Sequence, residues 1–159
     1  MTGMILAGSR VVVIEPAVAR GAELCAAIFE AGGVSLGPFP DVWEALEFMR
    51  SNLIDAALVT YRSNHSDTAV LAHSLAAGGR PVLFCGSEQP PEAVIGSSSR
   101  IGACPPGASP TDIVAQLSLL IGPRSGAEPT VSRTRPHRLL SLLAASWLGG
   151  RGHPVAQRL

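Results

Sequence analysis

The sequence predicts an α/β protein: a three-layer domain with a five-stranded parallel sheet, helices on both faces, and a short additional C-terminal helix. Three observations carry this. Short apolar runs such as VVVI, AALV and PVLFC recur along the chain; they suit strands buried on both faces. Between them lie segments with helical spacing, two of them closed by Gly-Gly pairs. The connections are short, so consecutive strands run parallel with a helix crossing between them.

Taken in order, Val11-Val12-Val13-Ile14 forms the first strand and ends at Glu15-Pro16. Residues 17–31 follow as a helix, with Val18, Leu24, Cys25, Ile28 and Phe29 close to helical spacing and Gly32-Gly33 as the stop. Val34 to Leu36 make a short second strand before GPFP. Asp41 with Glu44 reads as a capping box opening a helix through Arg50, with Val42, Trp43 and Leu46 facing inward. Ala56 to Val59 form the third strand, introduced by Asp55 and ending at Thr60. The polar loop YRSNHS leads to a helix over about 67–77, for which Asp67 is the expected cap.

Pro81 to Cys85 is the fourth strand. Residues 86–99 are rich in Gly, Ser and Pro and leave room only for a short helix near 92–95. Ile101 to Ala103 is the fifth strand. Ser109 then supplies an N-cap, Pro110 the first helical position and Asp112 an early acid for a helix ending at Gly122-Pro123. In such sheets the functional loops lie at the carboxyl ends of the strands. Here those ends are Glu15-Pro16, Thr60-Tyr61, Gly86-Ser87 and Cys104-Pro105.

At 159 residues the chain holds one domain, residues 9–122, and an appendage. Its mean hydropathy of +0.31 argues against global disorder. Twelve basic and twelve acidic residues cancel, so no overall attraction to nucleic acid is implied. All twelve basic residues are arginines, which excludes any mechanism that needs a lysine ammonium. Three scattered cysteines form neither a disulfide framework nor a Cys-x-x-Cys metal site. The N-terminus has no basic residue before its apolar run, and no apolar stretch approaches the roughly 18 residues of a membrane span. A cytoplasmic location is expected.

The charge is unevenly spread, with −5 on residues 1–123 and +5 on residues 124–159. Residues 123–135 read as a linker, 136–150 as an amphipathic helix and 151–159 as a disordered tail. Leu139, Leu142, Leu143 and Trp147 fall on one stripe of that helix, with Arg138 near its start. Three fates compete for it: packing on the domain, docking on a partner or second copy, and lying on an anionic membrane surface, the least favoured. Some 36 residues are too few for a helix-turn-helix with its own core.

The segments RVVVIEP, EAGG, GPFPDVWEAL, IDAALVT, LAHSLAAGG followed by RPVLFC, and CPP before a capped last helix resemble, in this order, the receiver domains of two-component response regulators. Those domains have the flavodoxin-like fold, and the resemblance spans residues 9–122. It implies a site in which an acid pair after strand one and an aspartate ending strand three gather a divalent cation. That aspartate accepts the phosphoryl group, and a strand-four hydroxyl and a strand-five lysine bind the phosphate. At those places this chain has Glu15 with Pro16, Thr60 for the aspartate, Gly86 followed by Ser87 for the hydroxyl, and Cys104-Pro105 for Lys-Pro.

The reading is a degenerate receiver without enzymatic activity, metal or cofactor, signalling by phosphorylation-independent protein binding. The implied partner is a histidine kinase or another regulator, with a homodimer also open and Arg138, Leu139, Leu142, Leu143 and Trp147 as the contact stripe. The alternative is residual enzymatic or small-molecule-binding chemistry at a pocket of Glu15, Thr60, Ser87 and Cys104. No Gly-rich phosphate loop follows any strand, and His65, His73, His137 and His153 are not at ligand spacing.

Overall fold

The structure, a computed structural model, describes residues 4–123. Five strands and five helices alternate: β1 (Arg10–Ile14), α1 (Val18–Glu30), β2 (Val34–Phe39), α2 (Val42–Met49), β3 (Ala56–Thr60), α3 (Ser66–Ala77), β4 (Val82–Cys85), α4 (Glu92–Ile95), β5 (Ile101–Ala103) and α5 (Pro110–Ile121). The sheet is parallel throughout, in the order β2-β1-β3-β4-β5. This is the three-layer flavodoxin-like arrangement expected. The expected linker, helix and tail at 123–159, with the stripe Arg138, Leu139, Leu142, Leu143 and Trp147, lie outside the described residues apart from Pro123.

Strand alternation divides the core in two. Val12, Ile14, Ala57, Val59, Val82 and Phe84 face the side covered by α2 and α3, where Val42, Met49, Leu71 and Leu75 meet them. Val11, Val13, Ala56, Leu58, Leu83 and Cys85 face the other side, against Leu24 and Ile28 of α1 and Ile113, Val114 and Leu117 of α5. Successive residues of one strand point to opposite faces, so covering both faces requires the uninterrupted apolar runs seen in the sequence.

Asp41 caps α2 by accepting from the backbone N–H of Trp43 and Glu44 at 2.8 and 2.9 Å. Ser109 caps α5, with Pro110 in its first turn. Ahead of β1, Leu6 is buried and its N–H donates to the Ala31 carbonyl at 3.0 Å. Three expectations are corrected. Asp67 sits inside the first turn of α3, whose N-cap is His65. Trp43 faces outward on α2, whose buried positions are Val42, Ala45 and Met49. Val18 and Phe29 of α1 are 81% and 75% exposed, because the inward stripe of that helix runs through Gly21, Leu24 and Ile28.

Candidate functional site

A cleft of about 630 Å³ opens at the carboxyl ends of β1, β3 and β4, on loops that the parallel order brings to one edge. Glu15, Thr60, Gly86 and Ser87 all line it, as their positions after successive strands predict. Pro16 and Cys104 do not line the cleft, and Pro105 lines a separate depression of about 430 Å³ beside the start of α5. So of the seven residues singled out in the sequence, four converge.

Glu15 is the centre of the arrangement. Its side chain is only 1% exposed, yet both carboxylate oxygens are engaged. Oε1 accepts the Ala17 backbone N–H at 2.8 Å, and Oε2 accepts the Thr60 hydroxyl. The Arg20 guanidinium lies over it, with Nε 3.6 Å from Oε2. A buried carboxylate needs such compensation, because its lost hydration costs several kcal/mol (about 1–3 per unmade hydrogen bond, more for a charge). Glu15 is therefore turned inward, onto the start of α1 and the end of β3.

Thr60, Gly86 and Cys85 interlock. The Thr60 hydroxyl lies 3.6 Å from the Cys85 sulfur. Gly86 has φ +123°, and a Cβ there would lie 3.1 Å from Thr60 Cγ2. A serine or threonine at position 86 would be strained in this backbone. The hydroxyl available on the β4 loop is that of exposed Ser87.

Cys104 is buried in the core on the α1–α5 side, with its N–H bound to the Phe84 carbonyl at 2.8 Å. Burial, then neighbouring Cys85 and Asp112, push its thiol up to about 11. Burial also raises Cys85. Both are protonated thiols at neutral pH, and Cys104 does not join Glu15, Thr60 and Ser87 in the cleft. Tyr61, the first residue of the polar loop YRSNHS, is buried and packs edge-on against Phe84 with ring centroids 5.6 Å apart. Arg62 stays exposed at the cleft.

Two features were not visible in sequence. Arg20 follows Glu15 by five residues, so the first turn of α1 folds it back over the carboxylate; the spacing was there, but nothing marked this arginine among twelve. Glu88 reaches from the β4–α4 loop to accept the Ser63 N–H at 2.7 Å. The Ser63 hydrogen bonds, with Arg62 and His65 nearby, hold the Glu88 carboxyl below its ordinary value. This clasp ties the β3–α3 loop to the β4–α4 loop.

Two acids, Glu15 and Glu88, thus balance two arginines, Arg20 and Arg62, in the cleft. Among the described residues no group of three or more His, Cys, Asp or Glu side chains is placed to hold a metal ion, and no helix is long and apolar enough to cross a membrane. The class that fold and site define is a flavodoxin-like α/β domain with an internally neutralised acid at its switch-point cleft. No family model, curated protein or solved structure matches the chain.

Proposed function

We propose that this protein is a receiver-like signalling module that works by phosphorylation-independent protein binding. One observation carries the reading. At the place where receiver chemistry needs carboxylates open to a cation, Glu15, the acid that follows β1, accepts its own chain's Thr60 hydroxyl and Ala17 amide. A hard cation takes six or more oxygen ligands, at least one or two of them from carboxylates; Glu15, with a side chain 1% exposed and an internal donor on each oxygen, is badly placed to supply one. Phosphoryl transfer to Thr60 would lack the cluster of carboxylates that holds a charge-neutralising cation, and among the described residues no histidine lines the cleft to act as base. The strand order and the cleft suit a binding module inherited from a switch fold.

The test pairs two measurements on the full chain. Incubation with a small phosphodonor and magnesium, followed by intact mass, is expected to give no phosphoryl adduct. Affinity capture with the chain as bait is expected to return the same signalling protein, a kinase or regulator, with and without the phosphodonor. An adduct on the wild type overturns the reading. So does capture that requires the donor, or a bait that retains no signalling protein.

A further inference from the structure

One exposed stripe of α1 is apolar from Val18 to Phe29. Val18, Ala22, Ala26 and Phe29 fall at i, i+4, i+8 and i+11 and are all exposed, one stripe on a helix of 3.6 residues per turn. A helix on the surface of a sheet ordinarily turns its polar side to water. Here the two large residues, Val18 and Phe29, stand 81% and 75% exposed at the ends of the stripe, and alanines fill its middle. Exposed Glu23 and Glu30 border it on one side, and among the described residues neither enters an ion pair. The helix beside it, α5, adds Leu119 at 81% exposure.

We propose that this stripe is the docking site of residues 136–150 of the same chain. Three observations select that occupant over others, and none depends on the receiver reading. The first is connection. The described chain leaves α5 at Gly122-Pro123, and α5 packs alongside α1. Both helices return antiparallel to the strands, so the exit lies at the same end of the sheet as Phe29 and Ala31. Twelve residues, 124–135, then span up to about 40 Å when extended, whereas the thirteen-residue α1 is about 20 Å long. Every point of the stripe is within reach.

The second is apolar complementarity. Residues 136–150 carry Leu139, Leu142, Leu143 and Trp147 at the spacing of one helical stripe, with Leu140 and Leu148 beside it. Large side chains on one partner meet small ones, Ala22 and Ala26, on the other, which permits close approach of two helices. The third is charge. The segment from 124 onward carries +5 and the domain −5, and Arg133, Arg135 and Arg138 stand just before the apolar stripe, matching Glu23 and Glu30 of α1. A tethered partner also meets its site at high effective concentration, an advantage that a second copy or a separate protein lacks.

Two variants of the full chain test this. Leu143→Asp puts a charge in the apolar stripe of the segment. Comparing amide NMR spectra of wild type and variant, shifts are expected on α1 at Val18, Ala22, Ala26 and Phe29, with α2 and α3 unmoved and no change on dilution. Ala26→Arg places a long cation at the centre of the docking face without breaking the helix, since arginine is a good helix former. It is expected to move the Trp147 emission to longer wavelength, to the value seen in Leu143→Asp; Trp43 is common to all three chains and cancels in the difference. Unchanged α1 amides, shifts confined to α2 and α3, or a Trp147 emission indifferent to Ala26→Arg would overturn the proposal. So would α1 shifts that fade on dilution, which would place a second copy on the face instead.

Discussion

Replacing Thr60 by valine should destabilise the domain although shape and volume hardly change. The methyl that contacts Gly86 is kept, and what is lost is the hydroxyl that donates to Glu15 Oε2. A hydrogen bond to a charged group contributes about 1.5–3 kcal/mol. Glu15 is almost wholly buried, which argues for the upper part of that range. Thr60 itself is half-buried beside an open cleft, so a water molecule can replace part of the loss. The expected cost is about 1.5–2 kcal/mol. With a urea m-value of about 1.5–2 kcal/mol/M for a domain of this size, the midpoint falls by about 1 M with m unchanged.

A double-mutant cycle isolates the cause. Glu15→Gln keeps acceptor geometry at the site but removes the charge, so the Thr60–Glu15 coupling should come to at least about 1 kcal/mol. Urea unfolding of the four chains, followed by far-UV circular dichroism, supplies all the terms. A Thr60→Val loss below about 0.5 kcal/mol, the range of neutral surface changes, would refute the view that this hydroxyl closes the acid of the cleft.

Three further outcomes are expected. Thr60→Asp should set a second carboxylate against buried Glu15, lowering stability by more than Thr60→Val does, and should still yield no phosphoryl adduct by intact mass, since Pro16 and Cys104 supply neither acid nor cation. The Glu88 carboxyl is held below its ordinary 4.5 in the folded chain; its contribution is therefore complete above that value and is lost as pH falls through the lowered one. The Ser63 amide resonance should accordingly titrate only below pH 4.5, and a midpoint above it would remove the clasp. With its thiol near 11 against an ordinary 9.0, Cys104 should react with iodoacetamide at pH 8 about a hundredfold more slowly than a free thiol, from the thiolate fraction alone. Peptide mass mapping over time reads this, and labelling as fast as that of a model peptide would contradict the burial.

The sequence by itself determined the architecture, because strands buried on both faces must be continuously apolar. VVVI, AALV and PVLFC could hardly serve as anything else between capped, glycine-stopped helices. Local hydrogen-bonding chemistry also placed the Asp41 and Ser109 caps, since each depends on a few adjacent residues. It further determined that Glu15, Thr60 and Ser87 share one edge, because parallel strands bring successive carboxyl ends together whatever their side chains. Tertiary structure decided what those residues do there. Whether Cys104 faces the cleft or the core turns on which side of β5 the chain leaves, and packing against Cys85 and α5 put it inside. Likewise, the inward stripe of α1 had several apolar candidates, and contact with the sheet chose Leu24 and Ile28 over Val18 and Phe29. Glu15 could have faced a ligand; the nearness of Thr60, Ala17 and Arg20, brought together from β3 and α1, turned it inward, because a carboxylate removed from water is held wherever donors are already in place.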